Sequence, residues 1–339
     1  MLTPPTRFRP IVAAVALGAL GVVGLLTAMR PQPLGEPAAN AASDDIQASP
    51  GFVSGSVGAQ ALPGSPSPPP DLDFISALAV GPADTAPPVR ISDAEPPYVT
   101  AYYVAIVDEG SGTLLYGDSP DVRTPPASVT KIATTLLALQ REPDLSRVIP
   151  ITVDGLAMAA ADGSQVIGLA PGERLRLETL LHGIMLWSGN DAAEQVAVSL
   201  ADGSQDRYVE WMNHLAAVLG LQNTHFANPS GMDADGHYSS AADMAYLARV
   251  AMRNPMFRKL AETRTWEAEG YVLANLNRLL GSYPGADGVK IGFTDNARRT
   301  MVGSATRDGH RVYVSIMRSE DLVGDETALL DWVWRTYRW

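Results

Sequence analysis

The chain has 339 residues, a formal net charge of −12 and a hydrophobic share of 46%, which suits one large globular domain or two average ones. The acidic balance, without any cluster of Lys and Arg, excludes a nucleic-acid partner, because a phosphate backbone is bound by concentrated positive charge that displaces counterions. With no cysteine there is no thiol nucleophile, no Cys-based zinc site and no disulfide framework.

Arg7 and Arg9 precede an uncharged run over residues 11–29, closed by Arg30. As a helix this run spans ~28 Å at about 1.5 Å per residue, close to the roughly 30 Å hydrocarbon core of a bilayer. It predicts export through residues 1–30, as a signal anchor or a signal peptide, with membrane attachment where it is kept. Both forms stay open, because Ala-rich cleavage sites such as 38–42 lie well after the run. Residues 31–97 are dominated by Pro, Ala, Ser and Gly, which cannot bury enough apolar surface to offset chain entropy. They predict a disordered tether in which only 72–80 has the apolar content to pack locally.

A folded domain is expected over 98–339. Residues 101–107 and 113–116 read as strands joined by a Gly-containing hairpin loop. After Pro125-Pro126, the apolar residues Val129, Ile132, Ala133, Leu136 and Leu137 follow the i, i+3, i+4, i+7, i+8 period of a helix. Further helices are predicted at 177–187, 192–200, 208–219 and 241–252, the last opened by Ser240 and Asp243 as a capping box. The period then changes to that of strands at 288–293, 300–306 and 311–317, the last two joined through Asp308-Gly309, a hairpin-turn signal. A final helix is expected over 325–338. Strands at both ends of a helical middle predict an α+β domain whose N- and C-terminal strands share one antiparallel sheet.

Three constellations carry chemistry. The first is Ser128-Val129-Thr130-Lys131 at a helix start, where residues i and i+3 share a face and the lysine amine can reach the serine hydroxyl. A serine needs an adjacent base to become a nucleophile, and a lysine serves when burial or nearby positive charge lowers its pKa. Alone, the same four residues fit a capping serine followed by a solvated lysine. The second constellation is Ser188-Gly189-Asn190, and the third is Lys290-Ile291-Gly292 on a predicted strand, at spacings of about 60 and about 100 residues.

In this order the three motifs resemble those of the penicillin-recognising serine enzymes, which include D-alanyl-D-alanine carboxypeptidases and class A β-lactamases. The contexts 126–131, 169–173, 188–193, 228–233, 237–241 and 287–290 look most like the low-molecular-mass carboxypeptidase branch, and the resemblance covers 98–318. It implies a β-lactamase/transpeptidase-like fold and a serine-type carboxypeptidase acting on peptidoglycan stem peptides that end in D-Ala-D-Ala, acylated by β-lactam antibiotics. It implies Ser128 as nucleophile, Lys131 as its base, Ser188 as proton relay and Asn190 as a group that binds substrate and orients Lys131. Lys290 would attract the substrate carboxylate and depress the Lys131 pKa, while the backbone N–H groups of Ser128 and Phe293, the latter just after Gly292, would hold the oxyanion. No cofactor or metal is implied, and the five histidines lack the spacing of a zinc site. The location implied is the extracytoplasmic membrane face, or the cell wall if the leader is removed.

One departure stands out. The family usually carries a hydroxyl residue between that Lys and Gly to donate to the substrate's terminal carboxylate, and here the residue is Ile291. Losing a hydrogen bond to a charged group costs ~1.5–3 kcal/mol, so a substitute donor is expected among Thr294, Arg278 and the pair Arg298-Arg299. Two other readings compete with the carboxypeptidase. A β-lactamase would need a deacylating glutamate, and no Glu-x-x-Leu-Asn-type segment follows the second motif. An exported cell-wall-binding pseudoenzyme would keep the fold and lose turnover at Ile291. His237 and Trp187 read as structural, and Trp332, Trp334 and Trp339 as anchors of the last helix.

Overall fold

The computed structural model describes residues 72–76, 78 and 83–339, so the expected export segment lies outside the described residues. Among those described, no helix is long and apolar enough to cross a membrane. A one-turn helix α1 (Asp73–Ser76) and a short strand β1 (Val89–Arg90) precede the hairpin of β2 (Tyr103–Asp108) and β3 (Leu114–Asp118). A 3-10 turn (Ala127–Thr130) leads into α2 (Lys131–Arg141), followed by β4 (Val148–Pro150), α3 (Gly155–Asp162) and β5 (Arg174–Arg176). Helices α4 (Leu177–Met185), α5 (Asn190–Leu200), α6 (Gln205–Leu219), α7 (Ala241–Arg253) and α8 (Pro255–Glu262) fill the middle. The hairpin β6 (Thr265–Ala268) and β7 (Tyr271–Ala274) and a short α9 (Leu279–Ser282) lead to β8 (Ala286–Thr294), β9 (Arg298–Arg307) and β10 (His310–Ser319). Helix α10 (Leu322–Thr336) and β11 (Tyr337–Arg338) complete the elements.

The main sheet has the order β3-β2-β10-β9-β8 and is antiparallel throughout. Strands from both ends of the domain therefore share one sheet around a helical middle, the α+β arrangement that the changing period predicts. One face packs against α7 and α8 and, through them, the helical core that includes Val129, Ile132, Leu136 and Leu180. The other face packs against α10, where Val104, Ile106, Val314, Ile316, Leu329 and Val333 form a second apolar cluster. The turn between β9 and β10 has Asp308 at φ 52° and Gly309 at φ 83°, the pair of positive φ values of a type I′ hairpin. At the start of α7 the Ser240 hydroxyl accepts from the Asp243 N–H at 3.2 Å. The reciprocal half of the expected box is absent, because the Asp243 carboxylate is spent on the Asn223 N–H and the Thr224 hydroxyl.

The ordered packing begins upstream of Tyr98. In α1, Ile75 is fully buried and Phe74 meets Trp211 edge-on at 5.4 Å between ring centroids. Strand β1 pairs with β11, and the Trp332 indole N–H donates to the Ala94 carbonyl at 3.0 Å. The last part of the stretch read as tether thus belongs to the domain. Its few apolar residues suffice because the core supplies the partner surface that a local reading of composition cannot see.

Sequence reading overlooked α3, α8 and the β6–β7 hairpin. Helix α3 is Ala-rich and buries only Gly155, so it has no apolar stripe to read. For α8 a signal was present: Asn254 caps Met256 and Phe257 and is followed by Pro255 at the first helical position, the favoured pairing at a helix start.

Candidate active site

The 3-10 turn sets Ser128 against Lys131. In such a turn side chains at i and i+3 eclipse, and Lys131 Nζ lies 3.0 Å from Ser128 Oγ. Ala127, just before, has φ 52°, a left-handed conformation held from both sides. Thr300 donates to the Pro126 carbonyl at 2.9 Å. Gly231 lies so close that a Cβ there would sit 2.0 Å from the Ala127 carbonyl oxygen.

Lys131 is fully buried and has three partners. Besides Ser128 Oγ it donates to Asn190 Oδ1 at 2.6 Å and to the Ser230 carbonyl at 2.5 Å. The last two can only accept. A protonated amine has three N–H donors and fills all three contacts, whereas a neutral amine fills the two acceptors and turns its lone pair to Ser128. The geometry thus accommodates both the neutral and the protonated amine. Burial holds its pKa well below the ordinary 10.5 and the Lys290 charge lowers it further, against the opposing pull of Asp191 and Glu194. Lys290 is itself buried, donates to the Ile291 carbonyl at 3.0 Å, and has its pKa brought down by burial to about 7.

Each partner of Lys131 is held from its own element. Asn190 opens α5 and its amide nitrogen donates to the Ser164 hydroxyl at 3.1 Å, which leaves the amide oxygen facing Lys131. Next to it the fully buried Asp191 carboxylate accepts the N–H groups of Ile167, Gly168, Leu169 and Ala192. That clamp fixes the loop whose Ser164 and Gln165 form one wall of the cleft. The Ser230 carbonyl is aimed by Asn228, whose side-chain oxygen accepts the N–H groups of Ser230 and Gly231 at 3.2 and 2.7 Å, a local turn characteristic of Asn. Ser188 sits between α4 and α5 at φ 64° and faces the same cavity.

The cavity has a volume of about 480 Å³, and Ser128, Ser188, Asn190, Ile291, Gly292, Phe293 and Thr294 are among the residues that line it. Its far side is the free edge of β8, the outermost strand of the sheet. A Cβ on Gly292 would sit 2.7 Å from the Ser128 amide nitrogen and 3.0 Å from the Ala127 Cβ. Only a glycine lets this strand pass so near Ser128.

Over residues 91–321 the chain matches the family described as D-alanyl-D-alanine carboxypeptidase. It belongs to that family. The D-alanyl-D-alanine carboxypeptidase DacF of Bacillus subtilis is 34% identical over 240 residues, which is 68% of this chain and 61% of DacF. DacB2 of Mycobacterium tuberculosis, with the same description, is 37% identical over 239 residues, 67% of this chain and 80% of that protein. Among solved structures, the Streptomyces K15 DD-transpeptidase superposes with a TM-score of 0.68 at 30% identity, over 71% of this chain and all of that one. The chain spans about three fifths of DacF and of DacA from Escherichia coli, at 61% and 62% of their lengths.

The expected substitutes for the missing hydroxyl of the family motif fall in different places. Thr294 lines the cavity, but its hydroxyl donates to Asp233 at 2.8 Å and accepts the Ala297 N–H. It is occupied with holding the β8–β9 turn. Arg278 is exposed at the start of α9 and lines, with Ile291 and Arg299, a neighbouring cavity rather than the one that holds Ser128. Arg298 also points elsewhere, while Arg299 lines the catalytic cavity and donates to the Glu320 carbonyl. In the strand register Ile291 faces Met301 and Phe293 faces Arg299, so Arg299 is the diagonal neighbour of Ile291. Diagonal neighbours lie about 7–8 Å apart, within reach of a long side chain.

His237 has a structural place. Its Nδ1 accepts the Ala227 N–H, so in the neutral ring Nε2 donates to the Thr130 hydroxyl at 2.9 Å; burial lowers its pKa to about 4. The Trp187 indole donates to the Val166 carbonyl, bracing the loop that Asp191 clamps. Sequence reading gave no role to Asp191, Asn228 or the Ser230 carbonyl. For Asn228 and Gly231 the turn chemistry was a legible signal. For a carbonyl that binds a distant amine there is none, since every residue carries one.

Proposed function

We propose that the chain is a serine-type D-alanyl-D-alanine carboxypeptidase that removes the terminal D-alanine of peptidoglycan stem peptides through an acyl-enzyme on Ser128. The carrying observation is the buried Lys131 amine, 3.0 Å from Ser128 Oγ with its other two positions filled by acceptors. Oγ bonds to the scissile carbonyl carbon as the neutral amine takes its proton. The carbonyl electron pair moves onto oxygen, where the N–H groups of Ser128 and Phe293 stabilise it. Collapse breaks the carbon–nitrogen bond, and the departing D-alanine takes a proton through Ser188. Water then adds to the ester, its carbon–oxygen bond breaks, and Ser128 regains its proton. The β8 edge suits an extended peptide added as a further strand.

Arg299 takes the terminal carboxylate in place of the hydroxyl that Ile291 lacks. Among the described residues that line the cavity it is the only cationic one, and a guanidinium matches a carboxylate with two parallel hydrogen bonds. β-Lactams, which carry a carboxylate beside a reactive carbonyl, acylate the same serine. The charged and apolar pattern of residues 1–30 supports attachment at the extracytoplasmic membrane face, checked by fractionating cells that express the full chain.

The deciding experiment is D-alanine release from a peptide ending in D-Ala-D-Ala, run beside Ser128→Ala and fluorescent penicillin labelling. Release and long-lived labelling, both lost in the variant, are expected. Rapid penicillin hydrolysis would point to a β-lactamase instead, and neither reaction to a pseudoenzyme. The Ser128–Lys131–Asn190 contacts at 3.0 and 2.6 Å favour the active enzyme over the latter.

A further inference from the structure

Three arginines gather at one end of the sheet, in a chain whose net charge is −12. Arg298 and Arg299 open β9, and Arg318 sits at the end of β10. Together with Tyr102, Phe293 and Glu320 they line a cavity of about 520 Å³. This cavity shares Phe293 and Arg299 with the one that holds Ser128.

The backbone is bent to bring the arginines there. Arg298 has φ 59° and Arg318 φ 57°, left-handed values that disfavour any residue with a Cβ. Arg318 also lies where the pairing of β10 with β9 slips between Met317 and Ser319. A bulge of this kind re-aims side chains and recurs next to active sites. Strain kept at two charged residues, where glycine would remove it, points to a use for the side chains.

The guanidinium groups are not neutralised. Arg299 and Arg318 donate to the backbone carbonyls of Glu320 and Asn296. Among the described residues none of the three arginines forms an ion pair, and Arg298 has no hydrogen bond. Two apolar faces stand beside them, Tyr102 at 66% and Phe293 at 58% exposure. Positive charge without an ion-pair partner next to exposed rings fits an acid on a short alkyl stem.

We propose that this cavity is a second substrate subsite, in which Arg298 and Arg318 bind a further carboxylate of an acidic peptide whose terminal D-Ala-D-Ala lies at Ser128. The inference rests on the carboxypeptidase reading. A peptide is favoured over a free anion because the two cavities adjoin across Phe293 and Arg299, so a chain held at Ser128 delivers its own carboxylate at high effective concentration.

The test uses the full chain and synthetic peptides ending in D-Ala-D-Ala. Each carries, at the first, second or third residue upstream, a side-chain carboxylate or the matching primary amide. The wild type is expected to favour the acid over the amide by about tenfold or more in kcat/KM at one position, and less so as salt is raised. In Arg298→Gly/Arg318→Gly that ratio falls to near one. Glycine accepts both backbone conformations, so the melting temperature is expected to stay level or rise, and penicillin labelling reports an intact Ser128. Equal turnover of acid and amide at all three positions, or a preference that survives in the double variant, overturns the subsite while leaving the carboxypeptidase standing. No D-alanine release from any peptide overturns both. If inorganic phosphate inhibits acid and amide peptides alike and the double variant abolishes that inhibition, the cavity serves a phosphate-bearing ligand and the proposal is wrong.

Discussion

Lys131 and Lys290 are both buried amines, and the Lys290 charge lowers the Lys131 pKa beyond what burial does. The proposed mechanism requires Lys131 neutral to take the serine proton, and Lys290 charged to attract a carboxylate and to hold Lys131 neutral. Turnover is therefore expected to follow a bell in pH, with an acid limb from Lys131 and an alkaline limb near the value of about 7 to which burial brings Lys290, the two limbs belonging to the coupled pair. Lys290→Gln removes the repelling cation, so the acid limb of kcat/KM should move to higher pH and the alkaline limb should vanish. At Ile291 the expectation concerns the carboxylate. Arg299→Ala should lower kcat/KM by roughly 10- to 100-fold, the ~1.5–3 kcal/mol of a charged hydrogen bond. Ile291→Thr in that background should recover part of the loss by restoring the hydroxyl. No recovery in the double variant would show that Arg299 and residue 291 do not serve the same group.

The elements around the site are placed by their ends rather than their middles. Asp191 at the start of α5 accepts four backbone N–H groups, and Asp191→Ala leaves all four without that acceptor. At ~1–3 kcal/mol for each buried group left unsatisfied, the loss of stability in urea should exceed about 3 kcal/mol, with penicillin acylation slowed because the Ser164–Gln165 wall is released. Asp191→Asn, which keeps an acceptor, should do less damage. At Gly231 a side chain would strike the Ala127 carbonyl at 2.0 Å. Gly231→Ala should therefore shift the Ser128 turn and cut D-alanine release by more than tenfold, with the circular dichroism of the fold retained. The motifs were legible as helix starts, through Pro126 and Ser240, while the Asn228–Gly231 turn carried a signal that went unread. Which ends would converge was not legible, because their meeting depends on the crossing of α2, α5 and β8.

At the scale of the whole molecule, two buried lysines make stability depend on pH. In the unfolded chain Lys290 keeps its proton up to about 10.5, while in the fold it loses it near 7. Between those values the unfolded state binds more protons, so this group's contribution makes stability rise with pH. Lys290→Met is expected to raise the unfolding free energy at pH 7 by more than about 1 kcal/mol, since one pKa unit corresponds to about 1.4 kcal/mol. It should also flatten the rise between pH 7 and 10. The N-terminal edge matters at the same scale: a chain starting at Tyr98 loses the β1–β11 pairing, the buried Ile75 and the Ala94–Trp332 bond. It should melt lower than one starting at Pro68 while keeping its penicillin labelling.

The sequence by itself determined the α+β class, the place of the sheet strands at both ends, and the order of Ser128, Lys131, Ser188, Asn190 and Lys290. Those follow from local periods and short spacings, and a four-residue motif at a helix start already puts an amine beside a hydroxyl. Only the tertiary structure decided that the Ser230 carbonyl completes the shell of Lys131, and that Arg299 shares the Ser128 cavity with Ile291 while Arg278 stays outside it and the Thr294 hydroxyl is held by Asp233. The same holds for the gathering of Arg298 and Arg318 at the sheet end. The reason is that hydrogen-bond partners far apart in the chain are chosen by strand register and helix packing, and both arise only when the whole core closes.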